Sequence, residues 1–277
     1  MKRLLVLFFM ILGIISCDTD NDKISVVSFN MRLATDADGD NAWEFRIMGV
    51  DQFLKDAAPD LLGVQEALPN QVKFLDDVMV NHTREGVGRE DGEYEGEFSA
   101  IYYNTKRFVR LDGGTFWLSE TPDKVSYGWD AACKRIVTWV KLHDKKSNVD
   151  LYYLNTHLDH VGVEARRNSS KMILDKIASF EDDARVIVTG DFNATQNEEP
   201  ITILLQSGQL LDSRSVASVV IGEDNTFHNF GKSNTGIIDY IFVTPNIGVA
   251  TNEIITSRYG GKYLSDHNPV MAEIKLF

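Results

Sequence analysis

Polar stretches that follow or overlap apolar runs constrain the fold of this chain more than any other feature. The runs are rich in β-branched and aromatic residues, which predicts β-strands, so each stretch is expected to place an acid, amide or imidazole at the carboxyl end of a strand. The stretches are residues 156–159, 190–193, 239–242 and 265–268, with Asn30 and Gln65–Glu66 in comparable positions upstream. The sequence therefore predicts a fold in which many strand ends meet at one polar edge.

Strands outnumber helices along the whole chain. Alternating or continuous apolar runs predict strands at residues 23–33, 60–67, 99–104, 114–119, 134–143, 150–157, 185–189, 237–244, 249–256 and 270–276. Helical spacing predicts helices at residues 43–57, 69–80, 163–180 and 200–206. The segment 81–97, rich in Gly and Glu, is predicted to be a surface loop. These elements favour an α/β fold, a four-layered sandwich of two mostly antiparallel sheets packed face to face with helices outside.

The amino terminus has the pattern of an export signal. Lys2 and Arg3 precede an apolar run over residues 4–15, which is too short to span a bilayer. The residues up to Cys17 resemble a bacterial lipobox, in which the cysteine is lipidated and becomes the first residue of the mature protein. An ordinary signal peptide with a cysteine nearby is the alternative. We expect lipidation at Cys17.

The chain is predicted to have three regions. They are a lipoprotein signal peptide at residues 1–16, a polar tether at 17–22 and one domain at 23–277. With Cys17 lipidated, Cys133 has no intramolecular partner, so the fold does not depend on a disulfide. We expect a lipid-anchored extracytoplasmic protein of the cell envelope, monomeric, in contact with the membrane through its anchor and without a protein partner.

The charge of the chain disfavours one class of substrate. The formal net charge is −13, and it becomes −15 once Lys2 and Arg3 leave with the signal. Proteins that bind duplex DNA carry a basic surface, because neutralising phosphates supplies most of the non-specific affinity. The acidic balance therefore favours a small or singly charged phosphoester over a long nucleic acid.

The polar strand ends contain the groups that metal-dependent phosphoester hydrolysis requires. A hard cation such as Mg²⁺ takes oxygen ligands, a general base takes a proton from water, and further donors stabilise the phosphate oxygens. The motifs of other classes are missing from the sequence: it has no Gly-x-Ser-x-Gly, His-Glu-x-x-His, Cys-x-x-Cys or Gly-rich phosphate loop.

Six motifs in order resemble those of the endonuclease/exonuclease/phosphatase superfamily. They are Ser28-Phe29-Asn30, Gln65-Glu66, Thr156-His157, Gly190-Asp191-Phe192-Asn193, Asp239-Tyr240 and Ser265-Asp266-His267. The resemblance covers essentially the whole mature chain. It implies a metal-dependent hydrolase that cleaves a phosphodiester or phosphomonoester by in-line attack of water. Nuclease, sphingomyelinase-like phospholipid hydrolase and sugar- or inositol-phosphate phosphatase all remain open.

The resemblance also implies a role for each motif residue. Glu66 is the main metal ligand, with Asn30 beside it and Asp266 in the same metal shell; the expected ion is Mg²⁺, with Mn²⁺ or Ca²⁺ as alternatives.

The remaining motif residues are implied to act on the phosphate. Asp191 orients the attacking water and Asn193 donates to a phosphate oxygen. His267 is the general base or water-orienting group and is held in one tautomer by Asp239. His157 donates to a non-bridging oxygen from the opposite side.

Three further residues are weaker candidates. Glu97 resembles the acid that pairs with His157 in some family members, while Arg135 and Arg166 are candidate contacts to substrate. A catalytically silent binding lipoprotein on the same fold is the alternative function. A substitution at one of the metal or base positions of the superfamily motifs would favour this silent binding protein, and the sequence has none there.

Overall fold

The computed structural model describes residues 22–277. The predicted signal peptide, the lipidation site Cys17 and most of the predicted tether lie outside the described residues. Within the described range, no helix combines the length and the apolar character that crossing a membrane requires.

Thirteen strands and five α-helices form the described part of the chain. The strands are β1 Ile24–Asn30, β2 Leu61–Gln65, β3 His82–Glu85, β4 Ile101–Asn104, β5 Phe108–Trp117, β6 Ile136–Asp144, β7 Val149–His157, β8 Val186–Asp191, β9 Leu211–Asp212, β10 Val219–Ile221, β11 Asp239–Val243, β12 Ile247–Ile254 and β13 Val270–Leu276. The helices are α1 Trp43–Ala57, α2 Pro69–Val78, α3 Val163–Ala178, α4 Glu199–Gln206 and α5 Ser213–Val216.

The strands form two sheets. One has seven strands in the order β10-β12-β13-β1-β2-β4-β3, and the other has six in the order β5-β6-β7-β8-β11-β9. Most neighbouring strands are antiparallel; the parallel pairs are β1–β2, β7–β8 and β10–β12. This mixed arrangement confirms the predicted sandwich of two mostly antiparallel sheets.

Three apolar clusters lie between four layers. In β1, Val26 belongs to the cluster between the sheets, and its neighbour Val27 belongs to the cluster under α1 and α2. In β7, Tyr153 points into the same central cluster and Leu154 into the cluster under α3 and α4. Successive strand side chains point to opposite faces, so strands buried on both faces read as continuous apolar runs.

A buried polar network joins the two sheets just beneath the polar strand ends. Gln65 Nε2 and Thr189 Oγ1 donate to Asn155 Oδ1 at 2.7 and 2.9 Å. The Asn155 amide nitrogen in turn donates to the main-chain oxygen of Val64 at 2.9 Å. Because a buried polar group is stable only when paired, this network fixes the position of each sheet against the other.

Substituting Gly63 by alanine is expected to destabilise the protein by about 1–3 kcal/mol, because the added methyl overpacks this network. A Cβ at Gly63 would lie 2.3 Å from Thr189 Oγ1 and 2.6 Å from Asn155 Oδ1. Chemical denaturation of the variant measures the loss. Gly114→Ala is the matched control, since its methyl meets one neighbour at 3.6 Å. Equal free energies of unfolding for the two variants would contradict this explanation.

The edges of the sheets differ from the prediction. The segment 81–97, predicted to be a loop throughout, begins with strand β3. Strand β5 starts six residues before its predicted beginning at residue 114. Both segments are edge strands whose side chains are mostly partly or fully exposed, so they lack the apolar alternation by which a strand is recognised.

Candidate active site

A cavity of about 490 Å³ opens where the polar strand ends of both sheets meet. Most of the residues predicted to form the site line it: Glu66, Glu97, Arg135, His157, Asp191, Asn193, Asp266 and His267. Asn30 and Asp239 are buried beside it, in hydrogen-bond contact with lining residues. The fold therefore gathers side chains that are far apart in sequence.

Asn30 holds two carboxylates side by side. Its amide nitrogen donates to Glu66 Oε1 at 3.0 Å and to Asp191 Oδ2 at 2.9 Å. Its oxygen accepts from the backbone N–H of Arg32 at 3.0 Å, and the N–H of Leu33 donates to Glu66 Oε2 at 3.1 Å. In this arrangement Asn30 positions the two acids, and its own oxygen is engaged by the main chain.

Two site residues have left-handed backbone conformations. Glu66, directly after β2, has φ of 60°, and Asn193, two residues after β8, has φ of 46°. Asparagine adopts this region at small cost, whereas for glutamate it costs of order 1–3 kcal/mol. The sharp turn at Glu66 places its carboxylate beside the strand ends of both sheets.

The acids of the cavity fit a divalent cation. One carboxylate oxygen each of Glu66 and Asp191 and a ring nitrogen of His267 lie within 4.8 Å of one another, and the two carboxylates are the metal-ligand candidates among them. Arg32 is close to two of the acids, 3.9 Å from Glu66 and 3.8 Å from Asp266. Burial, and after it the neighbouring carboxylate of Glu66, raises the pKa of Asp266, although His267 and Arg32 act in the opposite direction. An oxygen-rich, negatively charged pocket is the donor set that Mg²⁺ prefers.

His267 is held by a carboxylate and is positively charged. Its Nδ1 lies 2.9 Å from Asp239 Oδ2, and its Nε2 lies 3.7 Å from Asp191 Oδ2. Burial lowers the pKa of His267, but the carboxylates around it, Asp239 first, outweigh burial and raise the pKa to about 10. The imidazolium can therefore donate a hydrogen bond from Nε2 into the cavity at neutral pH.

Asp191 can take and return a proton near neutral pH. Burial and the nearby carboxylate of Asp239 raise its pKa to about 7, although His267 and the backbone N–H of Asn193 act in the opposite direction. That N–H donates to Asp191 Oδ1 at 2.9 Å. General-base catalysis is most effective when the pKa lies close to the working pH, so Asp191 has the character of a base.

His157 is neutral and is held by Asn193. The Asn193 amide nitrogen donates to His157 Nε2 at 3.0 Å and to the Leu158 carbonyl at 2.9 Å. Because Nε2 accepts, the ring hydrogen lies on Nδ1, which faces Glu97 Oε2 at 3.9 Å. Burial, with the positive charge of Arg135 next, lowers the pKa of His157 well below its ordinary value.

Glu97 is clamped beside His157 by Arg89. Arg89 donates from Nη1 to Glu97 Oε2 at 2.7 Å and from Nη2 to Oε1 at 2.8 Å. Such bidentate pairs fix both groups. Burial nevertheless raises the pKa of Glu97. Glu97 therefore lies beside His157, 3.9 Å from Nδ1 and without a hydrogen bond to it, and is held by an arginine that the sequence did not indicate.

The two candidate arginines occupy different positions. Arg135 lines the cavity, and its Nε lies 3.3 Å from Asp159 Oδ2. Arg166 does not line the cavity; its Nη1 donates to the main-chain oxygen of Asp159 at 2.9 Å. The prediction of a substrate contact at Arg166 therefore finds no support in this geometry.

The sequence model of the endonuclease/exonuclease/phosphatase family matches residues 27–267, most of the chain. The chain belongs to the endonuclease/exonuclease/phosphatase family. The match begins in β1 and ends at His267, so it includes every predicted catalytic and metal residue.

Solved structures of this family superimpose on almost the whole chain. A Bacteroides vulgatus endonuclease/exonuclease/phosphatase is 38% identical with a TM-score of 0.88, covering 92% of this chain and 99% of its own. The Bacteroides thetaiotaomicron mannosyl-6-phosphatase is 33% identical with a TM-score of 0.87, covering 91% and 99%. The human Nocturnin catalytic domain is 17% identical, with a TM-score of 0.74 and coverage of 93% and 94%, a likeness of fold alone.

The sequence did not indicate one residue that positions the site. Arg46 is buried, and its guanidinium donates to the carbonyls of Met31 and Leu264, both at 2.8 Å. It thereby ties the end of β1 to the loop that carries Asp266. The signal is its position on α1, since Arg46 follows Trp43 by three residues and shares the apolar helix face.

Proposed function

We propose that the chain is a divalent-metal-dependent hydrolase of small phosphate esters that acts by in-line attack of water at the cell envelope. One observation supports this more than any other: Glu66, Asp191 and His267 converge within 4.8 Å in one cavity. The phosphatase and nuclease relatives of the family support the same class of reaction.

The residues of the chain have distinct roles in this proposal. A divalent ion held by Glu66 and Asp266 would supply Lewis-acid polarisation and charge neutralisation at the phosphate. Asp191, and not His267 as the resemblance implied, takes the proton of the attacking water, because the pKa of His267 is raised to about 10 and that of Asp191 to about 7. His267 donates from Nε2 to the phosphate, and Asp239 maintains its charge and orientation. Asn193 holds His157 in the tautomer with hydrogen on Nδ1.

A phosphomonoester of a sugar is the substrate class we favour. A cavity of about 490 Å³ suits a small molecule, since ligand pockets span about 300–1,000 Å³. The net charge of −13 opposes a long polyanion. The mannosyl-6-phosphatase relative is 33% identical over nearly the full length.

A substrate panel tests this function. Protein from Asp18 onward is incubated with Mg²⁺, Mn²⁺, Ca²⁺ or EDTA, and phosphate release or cleavage is measured. The panel contains hexose 6-phosphates, inositol phosphates, sphingomyelin, duplex DNA, poly(A) and a chromogenic bis-phosphodiester. We expect chelator-sensitive release of phosphate from a hexose phosphate. Metal binding without any hydrolysis would favour the silent binding protein, and cleavage of a diester alone would favour the nuclease or the phospholipid hydrolase.

The envelope location is proposed from residues that the structure does not describe. We expect full-length protein produced in a bacterial host to fractionate with membranes and to incorporate labelled palmitate, and Cys17→Ser to abolish both. Cys133→Ser is the matched control, because Cys133 lies in the folded domain. Palmitate incorporation that persists in Cys17→Ser would contradict the lipid anchor.

A further inference from the structure

Arg135 lines the cavity and has one side-chain donor without a hydrogen-bond partner among the described residues. Its side chain is nearly buried, yet it is one of the groups that line the cavity. Nε lies 3.3 Å from Asp159 Oδ2, and Nη2 lies 3.1 Å from His160 Nδ1. Nη1 is buried and has no hydrogen-bond partner within the described residues. A buried donor without a partner is costly, so a ligand oxygen at this position would be stabilising.

The guanidinium of Arg135 is rigidly held. Asp159 Oδ1 accepts the backbone N–H groups of Gly162 at 2.7 Å and Val161 at 3.0 Å, and the carboxylate also accepts from Cys133 at 3.1 Å. Asp159 is therefore fixed by the main chain, and it fixes Arg135 in turn. Preorganised donors of this kind lose little entropy when a ligand binds.

His160 supplies a second donor on the same wall. A guanidinium can only donate, so His160 Nδ1 must be the acceptor of their hydrogen bond, and the ring hydrogen then lies on Nε2. His160 lines the cavity and is exposed. Its Nε2–H is a neutral donor that a ligand can reach.

The charges nearby are already compensated. Arg135 lies beside Asp159, Arg89 is paired with Glu97, and Lys134 donates to Glu90 at 2.8 Å. Free donors without free positive charge favour a neutral oxygen acceptor. A second phosphate would bring two negative charges that this wall does not balance.

We propose that Arg135 and His160 form a subsite that binds hydroxyl groups of the non-reacting part of the substrate. This inference rests on the proposed phosphatase function and assigns its specificity to these two residues. A polyhydroxylated phosphate ester is then bound at two places, through its phosphate beside Glu66 and through its hydroxyls here. An ester without hydroxyl groups is bound through its phosphate alone.

The ratio of two specificity constants tests the subsite. The full chain is assayed with Mg²⁺ on a hexose 6-phosphate and on p-nitrophenyl phosphate, which has no hydroxyl groups. Arg135→Lys keeps a cation beside Asp159 but lacks the fork of donors, and we expect the ratio of kcat/KM values (hexose over aryl) to fall about tenfold or more. His160→Ala, at an exposed position, is expected to lower the ratio about threefold. Arg167→Ala, an exposed arginine paired with Glu199, is the control.

The outcomes separate the alternatives. A ratio unchanged in both variants, even if both rates fall together, would mean that Arg135 and His160 have only a structural role and would overturn the subsite. The assignment to a neutral oxygen would be overturned by a different result with a hexose bisphosphate. In that result, wild-type protein has a higher kcat/KM for the bisphosphate than for the monophosphate, and Arg135→Lys lowers kcat/KM more for the bisphosphate. Failure of wild-type protein to hydrolyse either ester would instead overturn the proposed function.

Discussion

Replacing His267 by alanine is expected to lower kcat by about 10²–10⁴-fold while the fold remains intact. The imidazolium lies 3.7 Å from Asp191 Oδ2, and the Asp239 carboxylate holds it at 2.9 Å. The variant loses both a donor to the phosphate and the positive charge that offsets the surrounding acids. Steady-state kinetics at saturating Mg²⁺ measure the loss, with circular dichroism and thermal unfolding as tests of the fold.

His143→Ala provides the matched control for this prediction. His143 lies near the end of β6, partly exposed, and pairs with Asp150 on the neighbouring strand at 2.8 Å. Its removal should leave kcat within a factor of two. A nearly normal rate for His267→Ala would end the assignment of His267 to the catalytic machinery.

Glu66→Ala is expected to raise the Mg²⁺ concentration for half-maximal activity by at least about 10–100-fold. Loss of a group that only orients a metal ligand already weakens metal binding by this factor, and loss of a ligand itself should cost at least as much. Glu66 is central to the acid cluster, since it contacts Asn30 at 3.0 Å and shares Arg32 with Asp266. Activity titrations measure the requirement. Calorimetric titration with Mg²⁺ alone reports binding independently of turnover.

Glu85→Ala serves as the control for the loss of a glutamate. Glu85 forms a surface pair with Arg110 at 2.6 Å, outside the cavity. An unchanged Mg²⁺ affinity in Glu66→Ala, measured by calorimetry, would contradict its role as the main ligand even if turnover had fallen.

The strand ends were predictable because their physical signal is local. The apolar run that ends at Asp191 identifies β8 without reference to the rest of the chain. The prediction that every motif lies at the carboxyl end of a strand was wrong for two motifs: Asp239 begins β11, and residues 265–268 precede β13. Antiparallel neighbours run in opposite directions, so amino and carboxyl ends of strands meet at the same edge. Helix α1 was predicted with the bounds that the structure shows. The four-layer architecture follows from the same runs, since a strand that is apolar on both faces must be covered on both faces.

The arginines of the site were not predictable in the same way. Arg32 and Arg89 lie in irregular segments, where no periodicity shows which way a side chain points. Arg89 reaches Glu97 only because the loop folds back, with Gly88 allowing close contact with the Glu95 backbone and Gly96 adopting a positive φ beside the Glu90 side chain. Partners of this kind depend on tertiary structure, as does the buried position of Arg46.

The protonation and orientation of the site residues were not predictable from the sequence, because they too depend on tertiary contacts. The charge of His267 and the orientation of Asn30 are set by contacts between the two sheets, and the tautomer of His157 is set by Asn193, 36 positions away at the end of the neighbouring strand. The sequence indicates which residue types are present, but their protonation is decided by burial and by neighbours as far apart as Asn30 and Asp191, which are separated by 161 positions.

The position of β1 at the centre of the seven-stranded sheet has a consequence for how the chain folds. Its partner β13 lies at the other end of the chain, and Ile24 pairs with Ile274. The central sheet therefore cannot close while the polypeptide is still being synthesised, and His267 emerges shortly before the closing strand. Pairing over such a distance is slow. A nascent chain without β13 leaves one edge of β1 unpaired, since β2 covers only the other edge, and it has no complete site. Activity therefore appears only after chain completion, and this intermediate is the stage most open to aggregation.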